Sequence, residues 1–403
     1  MNQVKGKYLM VLIAACGMIG AALGMITNVA GLFFSPIAEE LNTGIGNVSM
    51  TLTISNLIMA IGGVAVPKLI HSKSFKPMLL VGTIGIAGAT AGLALAPNLI
   101  LLYILNAVRG FAAGVLGTVT VTILINNWFR TNVGLVTSIA MGFSGIVSAV
   151  LSPVLSAVIE SAGWRVGYLT AAVIMLALEL PAILLPIDFH PEDADLKPLG
   201  KASKAELHTD TSAARAVSTS LFIMVLVFSV IVSFATAFPQ HFSGVAGAYG
   251  FTTAVGSGML SVCMVMNTAG KIIFGVLADR FGAKKSILLF GTVICTALLL
   301  MLFVQIPGAM FVAAGLFGLS YALATVGTVL TTKDAFGLAN YSKVYPKITI
   351  GTTIANAVGS SLIGFFFDGT GSYFGSMVLI FGLLLVMLGI IVAVYRKADT
   401  LAE

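Results

Sequence analysis

Twelve stretches of about 20 mainly apolar residues, each the length of one bilayer crossing, follow one another along this chain. They cover residues 9–34, 47–70, 77–97, 99–125, 134–159, 165–187, 216–239, 250–276, 285–304, 308–331, 347–367 and 373–395. A helix that is apolar all round cannot present a wet face, and lipid cannot solvate an open strand edge, so these stretches predict membrane-spanning α-helices. One long polar interval, 188–214, opening Asp188-Phe189-His190-Pro191-Glu192-Asp193, divides them six and six. The organisation expected is an all-α protein: an N-terminal six-helix bundle (1–187), a cytoplasmic central loop (188–214) and a C-terminal six-helix bundle (215–403).

Composition agrees. Of 403 residues 58% are hydrophobic and 9% charged, against about 25% charged in soluble domains. The 44 glycines suit helices whose backbones must approach closely without a hydrophobic drive between them. The first apolar run, from about Leu9 to Phe34, is longer than a signal-peptide core and has no small-residue cleavage site, so it is expected to be a retained span. Cys16, Cys263 and Cys295 sit in apolar runs as small hydrophobes. His71, His190, His208 and His241 fall in loops or at predicted helix ends, and no grouping has metal-site spacing.

Basic residues fix an orientation. Of 21 Lys and Arg, 18 fall at the termini, in the even-numbered connections and in the central loop. Arg165 alone falls on the opposite side, and Arg109 and Lys271 lie inside spans. Cytoplasmic loops collect Lys and Arg, so a cytoplasmic (inner) membrane location with both termini inside is expected. The same bias accounts for the net charge of +6, and no nucleic-acid partner is inferred.

The halves also echo each other. Gly63–Lys68 (GVAVPK) and Gly275–Arg280 (GVLADR) lie 212 positions apart. Phe129 and Gly163 bracket span 5 much as Phe336 and Gly371 bracket span 11, 207 and 208 positions on. Duplicated six-helix units are common in secondary transporters, whose substrate site lies near the midplane between repeats.

These residues carry a resemblance. GVLADRFGAKK (275–285) resembles the loop signature of major facilitator transporters, with Pro67 where its first-half copy would hold Asp. NAVRGFAAGVLG (106–117) resembles the fourth-helix signature with Arg109 in the arginine position, and GFSGIVSAVLSP (142–153) loosely resembles the fifth-helix glycine pattern. NNWF (126–129), GWR (163–165), FG (336–337) and DGTGSY (368–373) are similar to the oxalate/formate antiporter and monocarboxylate porter branch. The resemblance implies alternating access about a central cavity. It also implies that Lys271, where the branch usually has Arg, binds a substrate carboxylate. Asn267 replaces an Asp that proton-coupled monocarboxylate porters often carry, which argues against lactate-style symport. Thr352 or Thr353 stands where oxalate/formate antiporters carry a second cation, so one carboxylate fits better than two.

Depth independently singles out the same lysine, eight residues before Asp279, or roughly 12 Å from that helix end. An ionisable group so deep costs several kcal/mol unless it faces a cavity. The competing reading is a lysine snorkelling to the inner interface. Arg109, about 15 Å into span 4, is read either as a second substrate or coupling cation or as a hydrogen-bond hub. Glu179 of span 6 is read as a coupling or proton site, a partner for Arg109, or a residue tilted into the interface. Thr27, Asn28, Asn56, Asn267 and Asn356 could meet substrate or bond between helices. Asp279 and Arg280 are expected to form a cytoplasmic latch with a gating role.

The function expected is secondary transport of a small organic anion, a monocarboxylate in the first instance, by anion exchange or proton coupling. The alternative is an exporter of drugs or neutral solutes on the same fold. No nucleophile–base or metal constellation and no phosphate-binding G-x-x-x-x-G-K-[ST] loop occurs, so neither an enzyme nor an ATP-driven pump is expected. Partners expected are the bilayer, the anion, and protons or a counter-anion, with no cofactor and a monomeric state.

Overall fold

The structure, a computed structural model, describes residues 2–131, 133–200 and 218–400; the remainder of the predicted central loop, 201–214, with His208, lies outside the described residues. Among the described residues, eleven helical stretches are long and apolar enough to cross a membrane. One of them, Val133–Leu184, is two helices meeting at Gly163, whose φ of 84° takes the backbone out of the helix. Twelve helices result among the described residues. They are α1 (Gly6–Asn28), α2 (Ile45–Leu69), α3 (Ser72–Leu93), α4 (Leu99–Trp128), α5 (133–162) and α6 (164–184). The second six are α7 (Thr219–Ala248), α8 (Thr253–Phe281), α9 (Ala283–Phe303), α10 (Pro307–Gly337), α11 (Lys343–Thr370) and α12 (Phe374–Ala398). Every backbone polar group in lipid needs an internal partner, and helices supply it.

Residues 1–43 and 50–209 form one compact unit, and residues 44–49 and 210–403 form a second. In the first, α4 lies against α2 at Gly110 and Gly114. A Cβ on Gly110 would come within 2.4 Å of the Ser55 carbonyl oxygen, and one on Gly114 within 2.1 Å of that of Met59. Only glycine permits that approach. Away from the basic end, Arg165 ion-pairs with Glu40 at 2.9 Å, lies 4.1 Å over the Trp164 ring and donates to the Ala96 carbonyl. Trp164 donates to the same Glu40 carboxylate. The basic residue that departs from the charge bias is thus held by a local acid.

α1 and α7 are both irregular. α1 widens to a π-helix over Gly20–Asn28 and continues through a short 3₁₀ turn, Ala30–Phe33, into Phe34–Glu40. α7 breaks after Ala235 into a 3₁₀ turn at Phe238–His241. α10 also carries a π-turn, at Leu323–Gly327. Such wide turns concentrate at functional positions.

Two predicted loops differ from expectation. Residues 332–346 stay helical apart from Gly337, with φ of 71°. Their polar side chains read as a loop, yet Ala335, Phe336, Val344 and Ile348 bury against Leu221, Val225 and Val394 in one apolar cluster. Residues 188–199, expected to be cytoplasmic central loop, are docked on the first unit together with 185–187, expected to close span 6 but lying beyond the helix end at Leu184. Ile187, Phe189 and Pro191 are buried, Phe189 packs on Phe75, and Leu199 pairs with Phe129 as an isolated parallel bridge.

Candidate functional site

Lys271 lies on α8 ten residues before Phe281, about 15 Å of helix. It is half-buried and makes no hydrogen bond or ion pair with the described residues. Gly270 beside it closes against Leu319 of α10, which fixes the rotation of this part of α8. One turn earlier on the same face, Asn267 is buried. Its amide nitrogen reaches only the Met264 sulfur, at 3.8 Å, and its side-chain oxygen has no partner. A cation and an under-used amide one turn apart are what an anionic ligand with a second polar atom would need.

Beyond α8, polar groups of the second unit form a string. Asn356 of α11 donates to the Thr236 hydroxyl at 2.9 Å. Tyr321 of α10 donates to the Thr236 carbonyl at 3.1 Å. Thr236 sits where α7 leaves helical geometry, so its carbonyl has no partner within the helix and accepts from another one. His241, expected at a helix end, lies inside α7, which runs nine residues beyond the predicted boundary. It is buried, with Nε2 2.9 Å from the Ser360 carbonyl and its ring beside Tyr373. Thr352 is half-buried and returns its hydroxyl to the Thr349 carbonyl; Thr353 is half-buried as well. Asp279 and Arg280 are exposed, and neither forms an ion pair among the described residues; Arg280 lies over the Phe281 ring.

In the first unit Arg109 is only 4% exposed. Its guanidinium donates to the Asn106 side-chain oxygen and lies 6.0 Å from the Tyr168 ring centroid, while Nε has no acceptor. Asn106 returns its own amide to the Leu102 carbonyl. This charge is held by one neutral amide and an aromatic face, and no carboxylate among the described residues answers it. Glu179 is therefore not its partner. It is fully buried in α6, and neither carboxyl oxygen has a hydrogen-bond partner.

Asn28 donates to the Ser148 hydroxyl at 3.0 Å, which in turn donates to the Gly24 carbonyl. Thr27 donates to the Asn56 side-chain oxygen at 3.2 Å. These bonds join α1 to α5 and α2. Ser148, Thr236, Tyr168 and Tyr321 were not singled out by sequence. Hydroxyls within apolar runs carry no label, and only the residues opposite them give them a role. Among the described residues no His, Cys, Asp or Glu cluster could hold a metal.

Comparison with known proteins agrees with this architecture. The profile of the Major Facilitator Superfamily matches residues 12–272 and 242–402. An uncharacterised MFS-type transporter, YcxA of Bacillus subtilis (strain 168), is 25% identical over 188 residues, and the match spans 45% of each protein. The chain thus matches less than half the length of this curated relative. The crystal structure of a mutant of the nucleoside transporter NupG superposes with a TM-score of 0.71 at 13% identity, covering 96% of this chain and 99% of that one. A bacterial homologue of the human lysosomal transporter Spinster, in an inward-facing and occupied conformation, gives 0.64 at 12% identity, covering 99% and 96%. At such identities the likeness is one of fold. Twelve helices, two units and a profile match over nearly the whole chain lead to one conclusion: this protein belongs to the major facilitator superfamily of membrane transporters.

Proposed function

We propose that this secondary transporter carries a small organic anion, a monocarboxylate in the first instance, by alternating access, with Lys271 as the anion site. The observation carrying the reading is the half-buried ammonium of Lys271, deep in α8 and without an acceptor among the described residues. A lysine near the middle of a membrane helix costs about 2.5–3.5 kcal/mol on insertion scales. A substrate carboxylate supplies the missing counter-charge. An ammonium is a compact point charge, which suits one carboxylate and imposes no bidentate geometry. Asn267 is placed to receive a second polar atom of the same substrate, since its amide can present either end.

The remaining residues divide by whether they have partners. Asn28 and Asn356 already bond between helices and serve the scaffold. The Thr352 hydroxyl is engaged within its own helix. Arg109, with a free Nε, is the second candidate for anion contact. Asp279 and Arg280 are free to engage as a latch in another conformation. Asn267 cannot titrate, so coupling runs by anion exchange or through a proton elsewhere. Glu179 supports the latter, because a bound proton removes the cost of a buried carboxylate without donors. The charge bias supports a cytoplasmic membrane location with both termini inside.

Uptake of labelled small carboxylates into proteoliposomes tests this reading, with Lys271→Gln and Lys271→Arg beside the wild type. The expected result is uptake that falls at least tenfold in Lys271→Gln and recovers in part in Lys271→Arg. Equal uptake in wild type and Lys271→Gln would return this lysine to a snorkelling role. Uptake of neutral solutes but no carboxylate would replace the anion reading altogether.

A further inference from the structure

The residues that follow α6 have a composition typical of linkers, yet they are fastened at many points. Pro191–Ala194 is a 3₁₀ turn closed by a reciprocal His190–Asp193 cap. Asp195 turns the chain back with φ of 55°, and Leu196 donates to the Pro191 carbonyl. The Ser72 hydroxyl first, and then the His190 backbone and ring, hold the Asp193 carboxyl below its ordinary range despite some desolvation.

This self-ordered segment then engages four helices of its own unit. From α1, Tyr8 donates to the Lys197 carbonyl at 2.6 Å, and Lys7 lies 3.9 Å from Asp188. From α3, Ser72 bonds the His190 ring at 3.1 Å. From α4, Trp128 donates to the Asp188 carbonyl at 2.9 Å and Asn127 to that of Phe189 at 3.1 Å. Just beyond α4 the backbones interlock, Leu199 donating to the Trp128 carbonyl and Arg130 to that of Leu199. At the end of α6, Lys76 of α3 gathers the carbonyls of Ala182, Ile183 and Leu185. Those carbonyls are the orphans of a helix C-terminus, where a cation is favoured.

A passive tether needs none of this. Each bond contributes about 1 kcal/mol, and the side-chain anchors come from three different helices. We propose that residues 185–199 are a built-in strap that fastens the basic ends of α1, α3, α4 and α6 into one body and remains seated as the transporter works. The connection between the units is then fixed to the first unit as far as Leu199.

Hydrogen–deuterium exchange on the full-length protein in detergent tests the strap without involving a substrate, so this arm is independent of the anion reading, whereas the final transport arm rests on it. Three substitutions, Tyr8→Phe, Ser72→Ala and Asn127→Ala, remove side-chain anchors while sparing the buried Trp128 ring. The amides of Arg130 and Leu199 are expected to be protected in the wild type. In the triple variant they should exchange at least tenfold faster, together with the basic ends of α1 and α4, while α5 is unchanged. Paired backbones lie about 4.8 Å apart, within reach of a disulfide. Phe129→Cys with Leu199→Cys, in a background without Cys16, Cys263 and Cys295, should therefore restore protection on oxidation and lose it on reduction. Should the triple variant not purify, the single variants Tyr8→Phe and Asn127→Ala, each removing one anchor, give the same comparison with smaller accelerations. Loop-like exchange of Leu199 in the wild type would overturn the proposal. So would helix ends that stay protected once the strap is released, or an oxidised pair that abolishes transport in proteoliposomes loaded with the carboxylate panel.

Discussion

The first and second six-helix sets share their scaffold and differ in their charge. Asn28 and Ser148 bond across 120 positions, and so do Thr236 and Asn356, the equivalent places 208 residues on. Gly110 touches the Ser55 carbonyl as Gly318 touches that of Cys263, each place again 208 residues from its counterpart. Thr120 and Thr328 each return a hydroxyl to the carbonyl five residues back. Gly163 and Gly371 both take positive φ. The charged groups break the pattern: Arg109 maps to Phe317, and Lys271 maps to Gly63 or, at the longer offset, Met59. What obeys the repeat serves architecture. What departs from it is where the chemistry is to be sought.

Three experiments press on that division. The largest effect is expected at the repeated close approaches. Gly110→Leu and Gly318→Leu each drive a side chain into a neighbouring helix backbone, and both should abolish monodisperse protein in size-exclusion chromatography. Survival of one but not the other would show that the two scaffolds are not equivalent.

A smaller and more selective effect is expected for Glu179, which maps to Met387 in the second set. Glu179→Gln keeps the shape but cannot exchange a proton. It should retain counterflow of the carboxylate within about threefold, on the scale of removing an uncharged interaction, and lose accumulation driven by an imposed pH gradient. Retained accumulation would remove Glu179 from the coupling role.

The smallest effect is expected at the matched pins. Asn28→Ala and Asn356→Ala should each cost about 0.6 kcal/mol, the average for hydrogen bonds between membrane helices, and no more than about 1.7 kcal/mol. Thermal unfolding would read this as equal modest shifts, with half-saturation for substrate unchanged. A large rise in half-saturation for either would move that asparagine from scaffold to site.

The contrast also explains what could be read in advance. Twelve crossings were legible because lipid leaves a chain few options, and each unbroken apolar run declares itself. Lys271, Arg109 and Glu179 were legible because charge in such runs is rare. The pins were not, because Asn28 gains meaning only from Ser148, 120 residues away. The helical elbow around Gly337 and the strap after α6 were missed for one shared reason. Their polar, charged residues match the composition of loops, and their order comes from neighbours such as Phe75, Trp128 and Val394.

The wide turns of α1 and α10 bear on how this chain should be compared with its kin. A π-turn closes its hydrogen-bonded ring one residue later than an α-turn, so it stores an insertion that leaves the flanking helix intact. A relative lacking that residue would need a gap placed inside Gly20–Asn28 or Leu323–Gly327. An alignment that refuses the gap turns every following side chain by about 100° around the helix. Thr27, Asn28 and the aromatic residues at 33 and 34 would then be matched to positions that face elsewhere.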